Sequence, residues 1–287
     1  MLKPVTPKPT THTPYRGRLA PTPTGFLHLG HAATFRTAAE RATTAKGTLL
    51  MRIEDLDPLR CKSEFSTAAL EDLRWLGLRW DEGPDVGGAF APYTQSQRRD
   101  LFLKLWERLR DGGFIYPCKH SRRDVELAAN APHGDEPLFP KEWRPPPDAG
   151  RTSPTPRGEN WRFRVPDGEI VSFLDGRLGQ QTFVAGVDFG DFIVWRRDDV
   201  PAYELAVVAD DYAMRISEVV RGEDLLKSTA RQLLLYRALG WEPPAWWHTP
   251  LLRDASGRRL AKRDGAMSIR ELRRRALSPE EVWALTQ

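Results

Sequence analysis

The sequence predicts an α/β protein: a parallel-sheet domain split by a small α+β insertion and closed by a short helical tail. Three observations carry that expectation. A short strand candidate at residues 16–20, an alanine-rich helical run at 29–46 and an apolar strand at 49–53 follow one another within about forty residues. Strand, helix and strand at that spacing make a βαβ unit, which needs parallel strands and a right-handed crossover. Regular patterning of the same kind returns between Tyr203 and Leu252. Between the two stretches, eight prolines fall from Pro132 to Pro156, including Pro145-Pro146-Pro147, a segment that can be neither helix nor central strand.

Residues 1–14 hold four prolines and four threonines with almost no apolar side chain, the composition of a disordered tail. The first half of the parallel-sheet domain is expected over 15–113. Its strand at 16–20 is stopped by Pro21 and Pro23, and its first helix is ended by Gly47. Ala69, Leu73 and Leu76 mark the apolar face of a second helix; Leu101, Leu105 and Leu109 mark a third, closed by Gly112-Gly113. The insertion is placed at 114–194, with strand-like patterning and turn glycines from Trp161 to Trp195. The second half, 195–264, reads as a short apolar run or helix start at 203–211, a strand at 216–220, a helix at 228–239 ended by Gly240, and a final strand at 247–252. Residues 265–287 form the helical tail. No internal repeat is visible.

Of 287 residues, 40% are apolar and 29% charged, an ordinary globular balance. No window approaches the apolar length of a membrane helix, and the N-terminus lacks the apolar core of a secretory signal, so a cytoplasmic protein is expected. Two cysteines, Cys61 and Cys118, exclude a disulfide framework. The formal charge of +4 permits a polyanionic partner without demanding one. Basic residues crowd the end of the chain: Arg258, Arg259, Lys262 and Arg263, then Arg270, Arg273, Arg274 and Arg275. The later four are compatible with a solvated helix face.

Three constellations carry chemistry. Residues 18–31 read RLAPTPTGFLHLGH, with His28 and His31 flanking Gly30 where a strand gives way to a helix. A helix N-terminus offers unpaired amides and a positive dipole end to phosphate. Two imidazoles three residues apart can donate to phosphate oxygens as charge develops, and Gly30 leaves room for a flat base against the backbone. Helix capping is the plainer role for both rings. Second, the glycine-bounded RRLAKRDG of residues 258–265 puts Lys262, behind Leu260, where a cation could reach a triphosphate; a surface turn is the plainer reading. Third, Arg18, Glu54, Tyr203 and Arg221 each fall at a strand or helix end. Ligands of open α/β sheets bind there, and two arginines, an acid and a phenol suit an acidic amino acid. Each is also readable as part of an ordinary surface ion pair.

With these motifs in order, the chain resembles the glutamyl-tRNA synthetase family of class I aminoacyl-tRNA synthetases. The family's Arg-x-Ala-Pro-Ser-Pro-Thr-Gly…His-x-Gly-His signature is present with Thr22 in the serine position. Its Arg-Ile-Glu-Asp-x-Asp block is intact at residues 52–57. Its Lys-Leu-Ser-Lys-Arg signature is present at 259–263, with Arg259 and Ala261 as departures. The resemblance spans about residues 16–268. The chain ends about 25 residues after Lys262, and Val207 and the Val-Arg-Gly-x-Asp-Leu at 220–225 agree with the family's short branch, whose members glutamylate queuosine in the anticodon of tRNA(Asp).

The resemblance implies a Rossmann-type nucleotide-binding fold and a ligase that activates L-glutamate with ATP and Mg2+. It implies His28, His31 and Lys262 as catalytic residues, with Gly30 and Leu260 completing the ATP site, and Arg18, Thr22, Glu54, Tyr203 and Arg221 around glutamate. The expected partner is tRNA(Asp) bearing queuosine, and the expected state a monomer. Rival readings are a mini-synthetase charging a tRNA 3′ end and a non-catalytic RNA-binding relative. Members of the short branch commonly hold zinc through Cys-x-Cys and Tyr-x3-Cys. Here Cys118 and His120 match the first pair, but Phe139 and Trp143 stand at the second and cannot ligate, with His133 the one nearby substitute. Zinc is therefore expected to be absent, replaced by apolar packing around Trp143.

Overall fold

The computed structural model describes residues 14–128, 136–252 and 267–286. The N-terminal tail, His133, and the basic motif with Leu260 and Lys262 lie outside the described residues.

The first βαβ unit is present. Strand β1 (Arg16–Leu19) leads through Pro21 and Pro23 into helix α1 (Leu29–Thr44), and β2 (Thr48–Met51) returns parallel to β1, pairing Arg16 with Thr48 through Leu19 with Met51. Ala32, Phe35, Ala38 and Ala42 form the buried face of α1 at helical spacing, and the small alanines let it lie close over the sheet. The helix ends earlier than Gly47: Ala45 caps it and Lys46 takes the left-handed turn at φ 50°. Gly47 is needed for a different reason, since a Cβ there would sit 2.4 Å from the Tyr15 carbonyl oxygen.

Helices α2 (Ser63–Trp75) and α3 (Arg99–Asp111) follow, and α3 buries Phe102, Leu105, Trp106 and Leu109. Next come β3 (Ile115–Cys118), the short α4 (Arg122–Ala128), and β4 (Asn160–Phe163). Strands β5 (Ile170–Asp175) and β6 (Gly179–Val184) form an antiparallel hairpin, and β7 (Phe192–Trp195) completes an antiparallel β3-β4-β7 sheet. The hairpin belongs elsewhere: β5 runs parallel beside β9 (Ala245–Thr249), which is paired along its length with β8 (Glu218–Gly222). Two strands from the proline-interrupted middle of the chain thus extend the sheet of its second half.

Helix α5 (Tyr203–Ala213) is almost wholly buried, and α6 (Leu226–Ala238) packs beside it. The tail is helical, with α7 (Ile269–Arg274) and α8 (Pro279–Ala284). Strand β1 meets β8 through the Ser217 amide donating to the Arg16 carbonyl at 2.9 Å and the Arg18 guanidinium donating to the Val220 carbonyl at 2.7 Å. The strands therefore lie in the order β2-β1-β8-β9-β5-β6. The chain leaves β1 toward β2 on one side and meets β8 on the other. Open α/β sheets bind their ligands at the carboxyl ends of strands around such a reversal. Among the described residues, no helix is long and apolar enough to cross a membrane.

Candidate active site

The N-terminus of α1 is built by its own histidines. His28 is the N-cap, its Nδ1 accepting from the Gly30 amide at 3.2 Å, while Nδ1 of His31 accepts from the His28 amide at 3.3 Å. This is a capping box in which imidazoles replace the usual hydroxyl and carboxylate. With Nδ1 accepting on both rings, the proton of each neutral ring is on Nε2. The ring centroids stand 3.8 Å apart. Capping and phosphate binding are thus compatible, because they use opposite nitrogens. A Cβ on Gly30 would lie 3.1 Å from Cε1 of His28, so glycine also spares the cap itself.

Three of the five predicted amino-acid residues line one cleft, and the other two lie buried behind it. Thr22, Glu54 and Tyr203 line a cleft of about 800 Å³ together with Leu56, Asp57 and Arg196. Tyr203, the first residue of α5, accepts at 3.5 Å from Nη1 of Arg221, which rises from the penultimate position of β8. Arg18 is buried beneath, its Nε 3.6 Å from Asp211 and without a hydrogen-bond partner among the described residues. Three of these side chains were readable as surface ion-pair members. Arg18, Glu54 and Arg221 are instead 4–6% exposed.

Burial forces the site to balance its charge. Arg52, wholly buried, holds Glu54 at 2.9 Å and Asp211 at 2.7 Å, and Arg98 and Gln95 engage Asp210. Burial pushes the Glu54 carboxyl up from its ordinary value, against the pull of Arg52 and Arg18. A second cation at the cleft wall would favour its ionised form. Asp210 is raised for the same reason. Sequence reading missed Arg52, Asp210 and Asp211 as site components. A carboxylate pair inside an otherwise apolar α5 was the available signal, and only the fold shows that it meets Arg52.

Arg221 differs from its neighbours. Its polar partners among the described residues are all neutral: Oγ1 of Thr229 at 2.6 Å, Nε2 of His248 at 3.4 Å and Oη of Tyr203 at 3.5 Å. The guanidinium also lies over the Trp246 ring, 4.9 Å from its centroid. His248 is itself buried, and its pKa is pushed down to about 4, first by burial and then by Arg221, so it is uncharged at neutral pH. Glu204 acts on Arg221 only through space, so a buried cation hydrogen-bonded by neutral groups alone is left able to take an anion. His248, Thr229 and the Asp175 carboxylate behind them carried no sequence signal.

Near the degenerate cysteine pair, Phe139 and Trp143 occupy the place the zinc pattern would give to ligands. His120 stacks on Trp143 at 3.9 Å, Phe139 meets Trp143 edge-on at 5.8 Å, and Tyr116, Cys118 and Val125 complete the cluster. Among the described residues, no group of three or more His, Cys, Asp or Glu is placed to hold a metal ion.

Comparison with known proteins identifies the family and supports the fold. Residues 15–284 match the family model described as tRNA synthetases class I (E and Q), catalytic domain. A glutamyl-Q tRNA(Asp) synthetase of Symbiobacterium thermophilum is 46% identical over 271 residues, covering 93% of this chain and 83% of its relative. One of the same name from Nitratidesulfovibrio vulgaris is 47% identical over 262 residues, covering 90% and 81%. Among solved structures, a glutamate tRNA ligase from Elizabethkingia meningosepticum in complex with its amino acid superposes with a TM-score of 0.77 at 30% identity. That match covers 88% of this chain, and the chain spans about half, 53%, of the ligase.

Proposed function

The chain belongs to the class I tRNA synthetases of the E and Q type, and from that membership we propose that it activates L-glutamate with ATP and transfers the glutamyl group to queuosine in the anticodon of tRNA(Asp). The observation that carries the reading is Arg221, a buried guanidinium hydrogen-bonded by neutral groups, one of them Tyr203 in the wall of a cleft that also presents Glu54. Glu54 takes an ammonium, and the two guanidiniums of Arg18 and Arg221 take two carboxylates, a set that only an acidic amino acid brings. The identity to the two glutamyl-Q tRNA(Asp) synthetases supports the choice of acceptor.

In this reading an α-carboxylate oxygen of glutamate attacks the α-phosphorus of ATP, pyrophosphate leaves, and a mixed anhydride forms. The Nε2–H groups of His28 and His31 and the ammonium of Lys262 oppose the charge that accumulates on the phosphates, with no covalent bond to the protein. Gly30 and Leu260 flank the nucleotide. Mg2+ arrives as part of the nucleotide substrate. A queuosine ring hydroxyl then attacks the anhydride carbonyl, and AMP departs as the hydroxyl loses its proton. Arg18 and Arg221 hold the carboxylates, Glu54 the ammonium, and Thr22 and Tyr203 supply hydrogen bonds. The protein acts as a cytoplasmic monomer, and aromatic packing at Trp143 does the structural work of zinc.

The test is glutamate-dependent ATP–pyrophosphate exchange without tRNA, then glutamate transfer to tRNA(Asp) with and without queuosine, with the label mapped to anticodon or acceptor fragments. Exchange with queuosine-dependent label in the anticodon fragment is expected. Label in the acceptor fragment would make this a 3′-end charging enzyme. Absence of exchange by the folded protein would overturn glutamate activation.

A further inference from the structure

Three neighbouring strands end in three interacting side chains: Arg221 on β8, His248 on β9 and Asp175 on β5. Arg221 and His248 are register partners across the parallel β8-β9 pair, so they point to the same face. The His248 backbone amide and its Nδ1–H both donate to Oδ2 of Asp175, at 3.0 and 2.7 Å. Asp175 also accepts from the amides of Arg177 and Leu178, which fixes its carboxylate in place.

The direction of every proton follows. A carboxylate can only accept, so His248 carries its proton on Nδ1 and offers a lone pair at Nε2. That lone pair faces Nε–H of Arg221 at 3.4 Å and the Thr229 hydroxyl at 2.9 Å. The Thr229 oxygen in turn accepts from Nη2 of Arg221 at 2.6 Å. Nε and Nη2 form one edge of the guanidinium, and both are occupied. Nη1 is turned the other way, toward Tyr203, which lines the cleft.

We infer that Asp175, His248 and Thr229 form a positioning relay that grips Arg221 by one edge, aims Nη1 at the substrate's side-chain carboxylate, and keeps its one carboxylate a full imidazole away from the guanidinium. The relay rests on the glutamate-activating reading of the cleft. Its selectivity lies in the neutrality of the two groups that touch Arg221. A carboxylate in place of Thr229 or His248 would hold Arg221 equally well and neutralise it, removing the difference between glutamate and glutamine. An imidazolium would turn Nε2 into a donor facing other donors and would swing the guanidinium away. Asp175 prevents the wrong tautomer, and burial prevents the charged ring. Thr229 and His248 are fully buried and hold the Nε–Nη2 edge of Arg221, the edge away from Tyr203, so they act through Arg221.

Thr229→Val keeps the shape and deletes the hydroxyl; Thr229→Ser restores it. In glutamate-dependent exchange, Thr229→Val is expected to raise the glutamate KM about tenfold and to narrow glutamate-over-glutamine discrimination by a similar factor, with the ATP KM within twofold of wild type. Thr229→Ser is expected to recover most of both. A folded Thr229→Val protein with unchanged glutamate KM and unchanged discrimination would overturn the relay, as would a rise in both KM values with no change in discrimination. Nitrogen NMR of the wild-type imidazoles gives a measurement independent of how variants fold. His248 is expected as the neutral Nδ1–H tautomer at pH 7, and an Nε2–H or doubly protonated ring would also overturn it. Wild-type protein lacking exchange altogether, with the NMR tautomer as expected, would fault the glutamate reading and leave the hydrogen-bond geometry standing.

Discussion

His28 and Ser268 form an antiparallel backbone bridge, and the next residue, Ile269, donates its amide to the Leu27 carbonyl at 2.8 Å. The bridge ties the tail to the N-terminal end of α1. Beyond it, Ile269, Leu272 and Val282 are buried in the same core as Leu27, Phe35 and Leu73. Trp283 donates to the Leu76 carbonyl at 3.0 Å, and Arg270 meets the buried Asp72 at 2.9 Å. The tail is thus part of the domain that carries the histidines.

Leu272→Ala should test that attachment. Removing a fully buried leucine side chain costs about 2–5 kcal/mol, so the urea midpoint should fall. Exchange activity should fall in the folded protein too, because the strand beside His28 loosens. Arg275→Ala removes only an exposed i,i+4 pair with Glu271 and should change stability by under about 0.5 kcal/mol. A Leu272→Ala enzyme with full kcat would show that the bridge does not matter to the chemistry.

Arg221→Met should abolish the preference for the acidic substrate. Losing one member of a buried charge pair with the substrate costs about 2–5 kcal/mol, or roughly one and a half to three and a half orders of magnitude in kcat/KM for glutamate. Glutamine should be affected far less. Exchange with the two amino acids side by side is the measurement, and a parallel loss for both would argue against a charge-reading role.

His248 should make stability depend on pH in a definite direction. Its folded-state pKa is lowered to about 4 from 6.5, by burial first and by Arg221 next, with Asp175 and Arg18 the other charged groups acting on it. The unfolded chain therefore takes up a proton near pH 6.5 that the folded chain refuses until about pH 4. Its contribution is complete above pH 6.5 and is lost as the pH falls toward 4. At about 1.4 kcal/mol per unit, the loss between pH 7 and pH 5 is about 2 kcal/mol. Urea midpoints of wild type and His248→Gln at both pH values isolate it, because the buried carboxyls titrate in each. Equal drops would contradict the assignment.

Phe139→Ala should destabilise the protein by about 3–5 kcal/mol, since the ring is 4% exposed and packs on Tyr116 and Trp143. A strong chelator should leave the wild-type melting curve unmoved. A chelator-dependent drop in Tm would show that a metal takes part in holding the Cys118–His120 region.

Much of this was legible in the sequence, for identifiable reasons. The βαβ unit declared itself because helix and strand periodicities differ and punctuating residues sit between them. Even there Gly47 misled: its glycine is a packing requirement against Tyr15, and Lys46 makes the turn. The motif residues Arg18, Thr22, Glu54, Tyr203 and Arg221 were named before any geometry; Thr22, Glu54 and Tyr203 line one cleft, and Arg18 and Arg221 are buried near it. Asp175, His248 and Thr229 were not legible. Each looks ordinary in its own segment, and their roles exist only because β5, reached after an irregular proline-rich stretch, lies beside β9. Asp210 and Asp211 were hidden likewise, since α5 reads as an apolar run until Arg52 and Arg98 are seen against it.

That placement of β5 sets the order in which the molecule can become competent. The unit β1-α1-β2 closes over short loops and can form early, yet it supplies only Arg18, Arg52, Glu54 and the α1 N-terminus. The bonds that join the two halves of the pocket span long stretches of chain, 159 residues from Arg52 to Asp211 and 73 from Asp175 to His248. Pairings of such high contact order are the slow ones in folding. A chain stalled before β5 reaches β9 would have helices, a partial sheet and no aimed guanidinium. Amino-acid binding would therefore report completed topology rather than secondary structure, and ligand would protect only molecules that had closed the last strand.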